Sequence, residues 1–118
     1  MREERGTLSG DLVVAETYTL WGTVAGDVRV VAGGKMYVRG AIYGSLSVED
    51  GGRVHVYGNV AGDLVVHPGA KVIHSGLVGG DAVNRGGRLY VDGTGKVTGK
   101  VKTKAGETKV DNPNATGG

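Results

Sequence analysis

Cysteine and phenylalanine are both absent from the 118-residue sequence, and only two prolines interrupt it. Without cysteine there is neither a disulfide framework nor a thiolate metal site, and a reducing compartment suits the chain. Without phenylalanine, and with aromatic residues held to 5%, rings cannot fill the centre in the usual way, so the core is expected to be narrow and aliphatic. Long apolar runs are missing too, because no stretch approaches the roughly 20 residues needed to span a bilayer. The opening MREERGTLSG is charged and lacks the apolar segment of a secretory signal. These absences lead to the expectation of one small, soluble, cytoplasmic domain. An excess of one charge is also lacking. The net charge of +2 is too small for the overall field to attract nucleic acid, so any case for a polyanion rests on local clustering.

Glycine, by contrast, is abundant, with 24 residues where an average domain carries about 7%. Cutting the chain before Gly6, Gly22, Gly40, Gly58 and Gly76 exposes a repeat, with a shorter sixth unit from Gly95; the central units are about 18 residues long. The third position of each unit reads Leu8, Val24, Ile42, Val60 and Val78, the ninth Val14, Val30, Val48, Val66 and Asn84, and the fifteenth Met36, Val54, Val72 and Leu89. Apolar residues six apart, flanked by period-2 alternation and separated by glycine, are what three short strands per unit produce when each points one side inward. Glycine and β-branched residues are both poor helix formers, which excludes a helical reading. The sequence therefore predicts an all-β, single-domain β-solenoid of five to six coils, each stacked on the last at about 4.8 Å. Ala32-Gly33-Gly34, Asp50-Gly51-Gly52, Pro68-Gly69-Ala70 and Arg85-Gly86-Gly87 recur at one corner, where a turn needing positive φ favours glycine. The first unit lacks two residues at this corner and the fifth lacks one, as loops permit and stacked strands do not. The boundaries expected are a short charged N-terminal arm over 1–5, the solenoid over 6–110 and a disordered polar tail over 111–118.

The alternation of GxVxGD with a [GA][KR]xxV stretch from Gly6 to about Val101 resembles the bactofilins, bacterial polymer-forming cytoskeletal proteins. The resemblance implies a right-handed β-helix that assembles end to end into filaments without nucleotide, in the cytoplasm and often near the membrane. The GG[KR]xxV element is also similar to autotransporter passenger repeats, and the six-residue spacing to left-handed hexapeptide transferases. Right-handed winding is favoured, and the residues themselves leave the hand open.

Three sets of residues are candidates for function. Asp11, Asp27, Asp63 and Asp81 share the sixth position, with Ser45 between them. A stack of carboxylates repels itself unless it is solvated, bonded to turn amides or bridged by a cation. Turn formation is the favoured reading and a calcium ladder the sharper alternative, although the nine-residue calcium repeat is absent. The second set is a basic and aromatic face on the third strand of each coil. Lys35, Arg53, Lys71 and Arg88 form one outward column, Tyr37, His55, Ile73 and Tyr90 the next, and Trp21, Arg39 and Tyr57 a third. Such a face suits a protein partner, a glycan or a polyanion, and equally suits plain exposure to water. Nucleic acid is disfavoured because no recognition module accompanies it. The third set is the open edge of the first coil, Leu8, Leu12, Val14, Leu20 and Trp21, where unpaired strands seek a partner. Lys96, Lys100, Lys102, Lys104 and Lys109 load the opposite end with charge.

No catalytic residue, metal ligand or cofactor is expected. The three histidines do not converge; His55 and His67 face outward from different strands. His74 falls in the inward column of Val38, Val56 and Val91 as a core irregularity, with the equally misplaced Asn84 as a candidate hydrogen-bonding neighbour. The leading functional expectation is a structural protein that self-associates into dimers or filaments, and the alternative is a binding module using the basic and aromatic face.

Overall fold

The computed structural model describes residues 2–111. It contains seventeen strands and, among the described residues, no helix, hence no helix long and apolar enough to cross a membrane. Parallel strands stack into three faces of a β-solenoid of about six turns. The first face holds Thr7–Ser9, Thr23–Ala25, Ala41–Ile42, Asn59–Val60, Leu77–Val78 and Lys96–Val97. The second runs from Leu12–Val14 through Val28–Val30, Leu46–Val48 and Leu64–Val66, and the third from Thr17–Leu20 through Lys35–Val38, Arg53–Val56 and Lys71–His74. The ten-residue strands Ala82–Val91 and Val101–Val110 turn the corner between second and third faces and join them into one sheet.

The register is one coil per step, as the repeat predicts. Val30 lies opposite Val48 and Val48 opposite Val66, and all three are 0% exposed. Tyr18, Met36, Val54, Val72 and Leu89 make a second inward ladder. Because the strand period is two, each inward valine forces its neighbours outward, and burial of each such side chain stabilises the coil by about 1.5–3 kcal/mol. The hydrophobic core is aliphatic apart from Tyr18.

Two glycine columns exist for different reasons. A Cβ on Gly40 would lie 1.8 Å from the Gly22 carbonyl oxygen, and Gly22, Gly58 and Gly76 are as tightly placed, so the glycine that opens each unit after the first is a steric requirement of stacking and not of backbone freedom. At the other corner Gly33, Gly51 and Gly69 have φ of 84°, 79° and 80°, the left-handed conformation expected of the Gly-Gly turns.

Three expectations need correction. The arm ahead of Gly6 is a strand, since Arg2–Glu4 pairs with Tyr18–Leu20 and starts the third face before the predicted boundary. At the far end the Asp111 N–H bonds the Val91 carbonyl at 2.9 Å, so the register continues into the first residue of the expected tail; its remainder lies outside the described residues. His74 and Asn84 are both 0% exposed but are not partners. His74 Nε2 donates to the Lys96 carbonyl at 2.7 Å, which assigns the proton to Nε2 and leaves Nδ1 without a partner. Asn84 instead closes the shortened fifth corner. Its Oδ1 accepts the N–H groups of Gly86 and Gly87, while its Nδ2 donates to the carbonyls of Gly87 and Glu107. The missing residue leaves backbone groups out of register, visible as irregularities at Asn84/Arg85 and Arg85/Arg88, and a side-chain amide satisfies them.

Candidate binding face

The third face displays the predicted columns. Lys35, Arg53, Lys71 and Arg88 stand opposite one another in successive coils, as do Tyr37, His55, Ile73 and Tyr90. Inward burial of Met36, Val54, Val72 and Leu89 between them fixes this outward direction. The four cations span about 14 Å along the stack, taking three steps of strand spacing. Among the described residues none of them makes an ion pair; the pairs that form lie elsewhere, Arg2 with Glu16, Arg29 with Glu49, Lys102 with Asp81 and Lys109 with Asp111. Between the columns run shallow grooves of about 240 and 310 Å³, the first bordered by Lys35, Tyr37, Arg53 and His55, the second by Lys71, Ile73, Arg88 and Tyr90 and closed by Glu107 and Lys109 of the last coil.

At the adjoining corner the third column forms a cation and ring stack. The Arg5 and Arg39 guanidinium groups both lie 5.1 Å from the Trp21 ring centre, and Arg39 lies 4.3 Å from that of Tyr57. Tyr57 in turn stacks on His55, centroids 3.8 Å apart and planes 14° from parallel. Lys35 and Lys109 sit over Tyr37 and Tyr90 at 5.6 and 5.7 Å. A cation is thus held against the rings of Trp21, Tyr37, Tyr57 and Tyr90, an attraction worth about 0.5–1 kcal/mol at exposed sites. Ring faces already engaged in this way are poor platforms for nucleobases, which need an open face for stacking.

The acidic column bonds backbone amides as expected, but those of the next coil and not of its own turn. Asp11 Oδ1 accepts the Asp27 N–H at 2.9 Å and Asp27 Oδ1 the Ser45 N–H at 2.7 Å. Ser45 Oγ accepts the Asp63 N–H, Asp63 Oδ1 that of Asp81, and Asp81 Oδ1 that of Lys100. Each side chain is committed to an amide one coil further on. The Lys100 amide, and after it Lys102, hold the Asp81 carboxyl below its ordinary range. No three His, Asp or Glu side chains converge as a metal site among the described residues.

No family model, curated protein or solved structure matches this chain. The fold therefore stands on its own register, and function is argued from its surfaces.

One constellation carries no periodic signal and was missed in the sequence. Ser75 Oγ donates to Asp92 Oδ2 at 2.5 Å and sits 3.0 Å from His55 Nε2. Since the single hydroxyl proton is directed to Asp92, the His55 Nε2–H is the donor in the second contact. The Asp92 carboxyl is lowered to about 2, first by Ser75, then by the hydroxyl of Thr94, with the Thr94 and Gly95 amides adding to the effect. Burial pushes His55 below its usual value, Asp92 opposes this and Arg39 adds to it. A serine whose proton faces so weak a base, and whose histidine donates to it, lacks the general base that a nucleophile requires. The arrangement instead orients the His55 ring on the face. Tyr90, raised by its hydrogen bond to Asp111, is tethered in the same column.

The first-coil residues divide. Val14 and Leu20 are buried, Leu8 and Leu12 are half-buried, and Trp21 is 42% exposed beneath its two arginines. Arg2–Glu4 covers the Leu20 side of the coil. Val13, absent from the predicted set, is 57% exposed; a residue between inward-facing Leu12 and Val14 reads as core until the register is fixed.

Proposed function

We propose that the chain is a structural module that self-associates through the edge of its first coil. The observation that supports this is the position of Thr7–Ser9 and Leu12–Val14, each at the end of its sheet. Their outer N–H and C=O groups form a row that templates pairing with another chain. Beside them Leu8, Leu12, Val14 and Tyr18 line an open mouth of about 300 Å³ into the core. At the opposite end, core positions are taken by Thr103 and Thr108, bonded to each other at 2.7 Å, and Lys102, Lys104 and Lys109 stand on the last strand. Pairing first edge to first edge gives dimers; pairing first edge to last gives filaments of the kind the bactofilin resemblance implies. Sedimentation and negative-stain microscopy test this. Concentration-dependent species that vanish in Leu12→Lys/Val13→Lys are expected, and strictly monomeric behaviour at high micromolar concentration, with an intact β spectrum, overturns it.

The row of cations without ion pairs favours a second reading, a binding module for an acidic partner. Charge reversal at Arg53 and Lys71 separates the two, because it spares end-to-end assembly and removes binding on the face. Neither reading involves catalysis.

A further inference from the structure

The cation row sits at a fixed pitch, and pitch selects among polyanions. Lys35, Arg53, Lys71 and Arg88 recur once per coil, a step of about 4.8 Å, along a line parallel to the stacking direction. The phosphates of inorganic polyphosphate share bridging oxygens and lie closer together than this. Those of a nucleic-acid strand are separated by a whole nucleotide and lie further apart. Carboxylates on a polyuronate chain recur at the length of one or two sugar rings, close to one or two coil steps. Two of the four cations are arginines, whose planar fork bonds a carboxylate through two N–H groups.

The second observation is the state of the neighbouring rings. Tyr37 and Tyr90 each carry a lysine over the ring, while His55 and Tyr57 stack on one another. This leaves ring edges beside the grooves, which suit the C–H surface of a sugar better than a flat base. Resting on the binding-module reading above, we infer that the third face binds a linear acidic polysaccharide of the polyuronate class, laid along the stack with carboxylates on the cation row and sugar rings in the adjoining grooves.

The experiment uses the full chain and four polymers: polygalacturonate, neutral dextran, inorganic polyphosphate and oligo-dT. Binding is read by calorimetry at low salt and repeated at high salt. Polygalacturonate is expected to bind most tightly, to weaken with salt as exposed ion pairs do, and to lose at least tenfold in affinity in Arg53→Glu/Lys71→Glu. Lys104→Glu, away from the row, is expected to leave it unchanged. Tighter binding of polyphosphate or oligo-dT, with the same sensitivity to the double variant, overturns the polyuronate assignment and keeps the binding-face reading. Absence of binding to every anionic polymer by the folded protein overturns both.

Discussion

Asp27 reaches one full coil onward, where its Oδ1 accepts the Ser45 N–H at 2.7 Å and occupies the space a Cβ on Gly44 would need, 2.1 Å away. The Gly-Asp pair of the repeat is thus one device split across two coils: the aspartate of one unit requires the glycine of the next. Gly80 over Asp63 and Gly99 over Asp81 repeat the relationship at 2.1 Å each.

Gly44→Ala is accordingly expected to destabilise the protein by about 1–3 kcal/mol, the range for overpacking a filled site. In an Asp27→Ala background the same change costs less, without becoming neutral, because the Gly26 carbonyl oxygen still lies 2.5 Å from the added Cβ. A double-mutant cycle by urea denaturation measures the coupling. Additive costs would separate the aspartate from the glycine and remove the device.

His74 makes stability depend on pH. It is 0% exposed, and burial lowers its pKa, while the Lys96 carbonyl and Asp92 pull the other way and His55 adds to the lowering. Protonation would create an N–H at Nδ1, which has no partner. The folded pKa lies below the unfolded value near 6.5, so the unfolded chain binds the extra proton first. This contribution to stability is complete well above pH 6.5 and is lost as pH falls from there toward the folded pKa, at up to about 1.4 kcal/mol per pH unit. His74→Val matches the valines in its column and should flatten this slope, even though losing the Lys96 bond lowers stability at neutral pH. Denaturation curves between pH 7 and pH 5 read the slope directly, and an unchanged slope in the variant would assign the acid sensitivity elsewhere.

The inward architecture was legible because burial imposes a period: Val30, Val48 and Val66 repeat at a spacing that only stacked coils explain. The outward columns followed by parity, which is why Lys35, Arg53, Lys71 and Arg88 could be placed on one line. Arg2–Glu4 was not legible, since a charged edge strand with no inward apolar residue lacks alternation. Ser75 and Asp92 were hidden for another reason. They share a corner column with Trp21, Arg39 and Tyr57, and corner positions have neither parity nor apolar character to mark which residues meet. His74 and Asn84 were visible as irregularities, but their partners, the carbonyls of Lys96 and Glu107 and the amides of Gly86 and Gly87 among them, are mostly backbone groups that no side-chain pattern announces.

Arg39 should act as the clamp between Trp21 and Tyr57. Its removal in Arg39→Ala takes one cation from each ring, leaving Arg5 on Trp21 and His55 on Tyr57, and is expected to cost about 1–2 kcal/mol, two cation and ring contacts at the exposed-site value. Trp21 is the sole tryptophan, so its fluorescence reports the change without interference. Acrylamide quenching is expected to increase in Arg39→Ala, and Arg39→Lys to recover only part of the protection because an ammonium cannot lie flat against both rings. Equal quenching in all three proteins would mean that the stack does not persist in solution.

Ser47 and Val48 are adjacent in one strand and point to opposite sides of it, so they provide the sharpest test of the register. Val48 is 0% exposed in a column with Val30 and Val66, where an aspartate would leave water without any basic group in that valine column to pair with. The cost of burying a carboxylate without a partner is several kcal/mol, enough to unfold a small domain or to force the residue to take up a proton. Ser47 faces outward beside Arg29, where an added carboxylate meets water and a cation and should change stability by no more than about 0.5 kcal/mol. Val48→Asp is therefore expected to abolish the cooperative thermal transition, while Ser47→Asp melts like the parent chain. A one-residue slip exchanges the two outcomes, because it moves every side chain of the strand to the other face.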